Sequence, residues 1–249
     1  MNRNIAYQTD QLVRYFSRNR IAWPQFYESE RVIIDGLNLD SRRSVLDIGC
    51  GCGGLGLALH QRYGVRNYTG VEINPLAAEA ATVMNPQAEF LCGDILQLNR
   101  NQLQGRQFDV VFSLSCVDWN VQFAEMLAAA WSRVLEGGYL VATFRLTDAA
   151  GCSDMTLSYQ YINFDGVCEG ERASYVVLNA RELMQLLVGF APAEINAYGY
   201  WGAPSVTAVT PYERLCFCAF SIRKANRHAE VLRPRLQLPM EIRDAMEMV

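Results

Sequence analysis

"VLDIGCGCGGLG", Val45–Gly56, is the stretch on which the reading of this chain turns. Aliphatic and β-branched residues carry one acid, Asp47, and then break into glycines. That pattern reads as a buried strand ending in a tight turn before a helix, where the bare backbone and the helix amides can receive a nucleotide. Two spacings overlap in it. Gly49, Gly51 and Gly53 alternate, while Gly51, Gly53 and Gly56 also satisfy the dinucleotide-binding spacing, so the glycines alone leave open which ligand the turn holds.

Outward from this stretch, strands alternate with helices. "SVLDI" (44–48), "NYTGVEI" (67–73), "AEFLCGD" (88–94), "FDVVFSLS" (108–115) and "GYLVATFRL" (138–146) are short apolar runs suited to strands covered on both faces. Helices are expected from Gly54 to about Arg62, from Pro75 to Met84, and from Trp119 to Glu136 before Gly137 and Gly138. Farther on, "NARELMQLLVGF" offers Asn179 as an N-cap, Glu182 three residues later and Gly189 as a stop. "APAEINAYGY" and "RLCFCAFSIRK" read as two adjacent antiparallel strands joined by the loop 202–211. The whole predicts an α/β fold, a doubly wound and mostly parallel seven-stranded sheet with an antiparallel last strand. Three additions flank that core: an N-terminal helical cap at 1–40, an irregular insertion at 147–178 after strand five, and a mixed-charge C-terminal tail at 224–249; the domain itself spans 41–223.

Composition removes several classes of partner. At 249 residues and 51% hydrophobic content the chain can bury a large core, and a net charge of −4 offers no general field for a phosphate backbone, so no nucleic acid is expected. No run approaches the roughly 18 apolar residues of a membrane span, and Arg3, Asp10 and Arg14 interrupt the start, which points to a cytoplasmic protein without a membrane partner. Eight cysteines form no pair of C-x-x-C units, so they read as reduced, semi-apolar fillers and no metal site is expected.

Charge then separates the two spacings. A dinucleotide would bring a pyrophosphate against Asp47, whereas S-adenosylmethionine brings an ammonium and a sulfonium and no phosphate. The acid therefore favours the methionine-derived cofactor. With that, the chain resembles the class I S-adenosylmethionine-dependent methyltransferases through ordered motifs: Asp47 with Gly49, Gly51 and Gly53, then Glu72 in "GVEIN", Asp94 in "CGDIL", and "LEGGYLVATF". The resemblance implies that Glu72 takes both ribose hydroxyls, that Asp94 meets the adenine amino group, and that Ile95 offers its amide and an apolar face. Ile73 and Ser113, at the ends of their strands, complete the expected cofactor-binding set.

The acceptor is less constrained. "SLSCVDW" lacks the Asn/Asp-Pro-Pro-aromatic motif of the amino-group methylases of nucleic acids, and neither His60 nor His228 stands where a general base is expected. Methyl transfer needs alignment and exclusion of water more than a base. Asp118, Tyr159 and Tyr161 are the candidates for acceptor contact or proton acceptance. Aromatic residues crowd the cap, the insertion and the 198–214 loop, among them Trp23, Tyr27, Tyr200, Trp201 and Tyr212, as suits a small-molecule acceptor such as a sugar or a flat natural product, with O-methylation ahead of N-methylation. Cap and insertion are expected to form a mobile cover over the site, and apolar additions of this kind also suit a homodimer contact. A nicotinamide-dependent reductase, and the same fold used for binding or aminopropyl transfer, are the competing readings.

Overall fold

The computed structural model describes residues 11–98, 102–163, 165–226 and 232–247. Its central sheet contains β1 (Ser44–Ile48), β2 (Asn67–Glu72), β3 (Glu89–Cys92), β4 (Phe108–Ser113), β5 (Val134–Thr147), β8 (Leu178–Asn179), β9 (Pro192–Gly202), β11 (Leu215–Lys224) and β12 (Arg233–Gln237). They run in the order β12-β9-β11-β5-β4-β1-β2-β3, with β8 paired to the end of β5. Every neighbouring pair is parallel except the two made by β11, so β11 alone points the other way, as the alternation predicts for the last core strand.

Helices cover both faces because both faces are apolar. On one side α6 (Phe123–Ser132), α7 (Ala180–Val188) and α8 (Met240–Glu247) bury Leu127, Leu183, Leu187 and Ile242 against Leu140, Phe144 and Phe220. On the other, α2 (Glu28–Asp35) and α3 (Gly54–Tyr63) bury Ile33, Ile34, Leu55 and Leu59 against Val45, Val110 and Val141. The remaining helices are α1 (Gln11–Phe16), α4 (Pro75–Met84) and α5 (Ile95–Leu98). Asn179 caps α7 by accepting from the Glu182 amide at 3.0 Å. Among the described residues no helix is long and apolar enough to cross a membrane.

Two expectations change. Within the expected tail, residues 232–247 are part of the core: β12 adds a parallel edge strand to β9, and α8 buries Ile242 and Met246. Ile242 and Met246, four residues apart, share one face of α8, and Leu238 is buried just ahead of it, while Pro234 is tolerated because β12 is an edge. The helix expected from Trp119 to Glu136 is shorter. Trp119 lies in a 3-10 turn (Val117–Trp119), and Val134 already pairs with Phe108 before Gly137 takes a left-handed φ of 74° and turns the strand. The N-terminal segment is docked: Phe26, Ile34 and Leu37 are buried, and a Cβ placed on Gly54 would lie 2.1 Å from the Arg20 carbonyl oxygen. The insertion contributes β6 (Tyr159–Tyr161) and β7 (Arg172–Ser174), which join β10 (Ala208–Val209) in a small antiparallel sheet.

Candidate functional site

A cavity of about 870 Å³ opens at the carboxyl ends of β1, β2, β4 and β5. It is roofed by the N-terminal segment, by the insertion and by residues 200–205. This is where an open parallel sheet receives its ligands, and the volume sits toward the upper end of the ~300–1,000 Å³ usual for small-molecule sites.

The glycine loop forms one wall, but its glycines serve different ends. Gly49 and Gly51 line the cavity, and Gly49 adopts a φ of 75° where a Cβ would lie 2.5 Å from Cys116 Sγ. Gly53 does not line it; it is the left-handed N-cap of α3, tight against Asn85. Gly56, which completes the dinucleotide spacing, makes room for the Tyr68 ring 2.9 Å from its would-be Cβ. Tyr68 in turn donates to Asp47 Oδ2 at 2.6 Å. The ambiguous third glycine is thus explained by packing that holds the loop acid.

Three expected acids meet in this half of the cavity: Asp47, Glu72 and Asp94, with Ile73 and Ile95 beside them. Burial pushes the Asp47 carboxyl up to about 7, against the opposing pull of the Tyr68 hydroxyl and the Arg20 guanidinium. Glu72 is also raised by burial, held back by backbone amides. Its Oε2 accepts from the Gly51 amide and its Oε1 from the Asn74 amide, both at 2.9 Å. Each carboxylate oxygen still has a lone pair for a ligand donor. Asp94 caps α5 through the Leu96 amide at 2.9 Å.

The other half is built around Asp118 and Arg145, 6% and 3% exposed. Arg145 Nε lies 2.9 Å from Asp118 Oδ2, and Nη2 donates to the Asp118 carbonyl at 2.6 Å. The guanidinium carbon stands 3.7 Å from the Tyr175 ring centre and 4.3 Å from that of Trp119. Arg145 Nη1 and Asp118 Oδ1 are buried with no hydrogen-bond partner. Ser115, at a left-handed φ of 48°, donates its amide to Thr143 Oγ1 and brings the chain after β4 to the cavity wall.

The remaining candidates separate. Tyr159 and Tyr161 do not line the cavity; strand alternation puts Gln160 there instead, and the two phenol rings pack on each other at 5.5 Å with Arg172 over Tyr159. Ser113 is buried outside the lining. The Cys116 thiol lines the wall but burial pushes it far up, so it stays protonated. Of the aromatic residues, Tyr27, Trp119, Tyr175 and Tyr200 line the cavity, whereas Trp23 packs on Tyr63 and Tyr212 donates to the Ala150 carbonyl. His60 contacts the Val65 carbonyl at 3.0 Å, away from the cavity, and His228 lies outside the described residues.

Sequence reasoning passed over Arg20 and Arg145. Arg20 lines the cavity, bonds to Glu30 at 2.8 Å and stacks over Phe26 and Tyr27. The signal for Arg145 was a charge inside an otherwise apolar strand run, "YLVATFRL", which a chain buries only with a partner.

Residues 45–138 match the family model described as a methyltransferase domain. Over 116 residues the chain is 31% identical to the malonyl-(acyl-carrier protein) O-methyltransferase of Acetivibrio thermocellus, covering 43% of this chain and 40% of that protein, so it spans well under half of the curated relative's length. Among solved structures it is similar to phosphoethanolamine N-methyltransferase 2 of Haemonchus contortus, in complex with phosphomonomethylethanolamine and S-adenosylhomocysteine (12% identity, 82% and 53% of the two chains, TM-score 0.57). It is also similar to the cyclase SpnF (14% identity, 91% and 88%, TM-score 0.54). At these identities the structural likeness establishes the fold.

Proposed function

We propose that this chain, whose residues 45–138 match the methyltransferase-domain model, is a class I S-adenosylmethionine-dependent methyltransferase that methylates a hydroxyl group of a small-molecule acceptor. The observation that carries the reading is the charge of the glycine-loop wall. Among the charged residues lining the cavity, Asp47, Glu72 and Asp94 share that half with a single guanidinium, Arg20, which is itself tied to Glu30. Such a wall attracts a cation and repels the pyrophosphate of a dinucleotide. When bound there, the cofactor supplies a methyl group activated by a positive sulfonium.

This chain's residues would divide the work of holding it. Glu72, with both oxygens already oriented by backbone amides, accepts from the two ribose hydroxyls. Asp47 receives the methionyl ammonium, Arg20 the methionyl carboxylate, Asp94 the adenine amino group, and Ile73 and Ile95 the apolar faces of the base. The enclosing aromatic residues keep water from the reacting centre. Asp118, whose carboxyl burial pushes up and the adjoining Arg145 guanidinium draws back, would accept the proton that a hydroxyl acceptor gives up on methylation.

Calorimetry of the full chain tests the cofactor: S-adenosylhomocysteine is expected to bind and the oxidised nicotinamide dinucleotide not to, and the reverse overturns the assignment. The likeness to a cyclase is a specific reason to keep the fold's use without methyl transfer in view. Formation of S-adenosylhomocysteine from S-adenosylmethionine with hydroxylated acceptors supports methyl transfer; binding without any such product supports the other use.

A further inference from the structure

The N-terminal segment that roofs the glycine-loop half is held differently from the rest of the fold. From Phe26 onward it is anchored in the core, with Phe26, Ser29, Glu30, Ile33 and Ile34 buried. None of residues 13–25 is buried, although Val13, Tyr15, Phe16, Asn19, Arg20 and Gln25 line the cavity. This strap crosses the glycine loop. The Cys52 thiol donates to the Val13 carbonyl at 3.5 Å, and the Arg20 carbonyl lies so close that Gly54 has no room for a side chain. A segment with few buried side chains opens at a lower cost than the strands beneath it.

Arg20 is the charged residue that the strap carries into the cavity. Its backbone has a left-handed φ of 61°, which an L-residue holds only where its surroundings impose it. Arg20 Nη2 donates to Glu30 Oε1 at 2.8 Å, and the fully buried Glu30 also accepts from the Tyr27 amide at 2.9 Å, so one carboxylate ties Arg20 to the start of α2. The Arg20 side chain remains 19% exposed, which leaves guanidinium donors beyond the one given to Glu30 open to a ligand. Asp47 stands near enough for the two charges to attract one another, yet they form no direct ion pair. An acid and a base separated in this way suit a zwitterion, its ammonium toward Asp47 and its carboxylate toward Arg20. The two partners differ in one respect. Asp47 is fixed in β1, whereas Arg20 moves with the strap.

We propose that residues 13–27 form a strap that the amino-acid tail of the cofactor latches shut, with Arg20 as the specificity residue that detects its α-carboxylate. This rests on the reading that the glycine-loop half holds the cofactor. A ligand that keeps the ammonium but lacks the carboxylate satisfies Asp47 and leaves the strap unlatched. Arg20 thereby sets this chain against decarboxylated S-adenosylmethionine, the donor that aminopropyl transfer requires.

The test is hydrogen exchange on the full chain saturated with S-adenosylhomocysteine or with its decarboxylated form, which differs only in the carboxylate, saturation being set by calorimetry. S-adenosylhomocysteine is expected to slow exchange of the strap amides roughly tenfold or more, and the decarboxylated form less than about threefold. In Arg20→Gln the two ligands should protect the strap equally little. Asp47→Asn should need more S-adenosylhomocysteine to saturate but then protect the strap as the wild type does, because the acid lies outside it. Amides of β1 and β4 report that each variant is folded, and the comparison of ligands on the wild type needs no variant. The latch is overturned by equal protection from the two ligands, by protection that survives Arg20→Gln or is lost in Asp47→Asn, or by strap amides that are already as slow as β1 and β4 without ligand. Absence of S-adenosylhomocysteine binding to the wild type overturns the proposed function and the latch with it; binding that leaves strap exchange unmoved overturns the latch alone.

Discussion

In the glycine-loop half of the cavity three carboxyl groups face one guanidinium, whereas in the acceptor half one carboxylate is matched to one guanidinium at 2.9 Å. The first arrangement leaves negative charge for a ligand to neutralise. The second pairs its two charges with one another. On the proposed reading the first part suits the cation of the cofactor, while the second carries no net charge toward an acceptor.

Removing the best-anchored acid should break the contrast most severely. In Glu72→Ala the cofactor loses a bidentate acceptor, and the Gly51 and Asn74 amides lose theirs as well. Hydrogen bonds to a charged group contribute about 1.5–3 kcal/mol, so affinity for S-adenosylhomocysteine is expected to fall roughly 100-fold, with a lower melting temperature from the orphaned amides. Glu72→Gln, which keeps one carbonyl oxygen, should fall between. An unchanged affinity in calorimetry removes Glu72 from the site.

Arg20 tests whether the N-terminal segment completes the cofactor half. Arg20→Gln is expected to weaken S-adenosylhomocysteine by about tenfold or somewhat more, the scale of one charge-assisted contact to the methionyl carboxylate. Binding of 5′-methylthioadenosine, which lacks the amino-acid tail, should be unaffected. Equal losses for both ligands would mean that Arg20 merely anchors its own segment through Glu30 and Phe26.

The same half should titrate where the other does not. Burial raises Asp47 to about 7, and a bound ammonium favours its ionised form, so S-adenosylhomocysteine should bind more tightly as pH rises through 7, by roughly tenfold between pH 6 and pH 8. Stability of the ligand-free protein should run the opposite way. The folded Asp47 holds a proton that the unfolded chain releases near 4, so its contribution falls as pH rises from about 4 to 7 and stays lost above. Asp47→Asn is expected to flatten both profiles, and 5′-methylthioadenosine binding should show no comparable slope. A pH-independent affinity in the wild type would separate Asp47 from the ligand's charge.

The two halves also differ in how far they can be read from the sequence. The cofactor half is assembled from strand ends that follow one another, each with its acid or glycine at the break between an apolar run and a helix, so Asp47, Glu72 and Asp94 were legible, as were the mostly parallel sheet and the antiparallel β11. The acceptor half is assembled across distance. Arg145 meets Asp118 from an adjacent region of the sheet, Tyr175 arrives from the insertion, and Tyr68 explains Gly56 only once the β2 strand lies beside the loop. Local patterns carry no sign of such partners. The last strand and helix were hidden for a related reason: charges and prolines mask the four-residue spacing of Leu238, Ile242 and Met246.

The smallest expected effect concerns β6, where sequence reading picked the phenols and the fold turns Gln160 inward. Residues along a strand alternate faces, so the side chains either side of Gln160 point to the opposite surface, where Tyr159 packs on Tyr161 and beneath Arg172. Tyr159→Ala should therefore cost stability on the scale of a partly exposed aromatic and cation contact, about 0.5–1 kcal/mol, visible as a small fall in melting temperature. Binding of S-adenosylhomocysteine should change less than about threefold, within the ±0.5 kcal/mol typical of surface changes. Gln160→Ala, at a residue that lines the cavity, should do the reverse, with little effect on melting but a loss of roughly threefold to tenfold in kcat/KM for a hydroxylated acceptor, the scale of one neutral hydrogen bond. If Tyr159→Ala proves the more damaging of the two for turnover of that acceptor, the insertion sheet sits against the acceptor in a different register, and the assignment of Gln160 to the cavity wall falls with it.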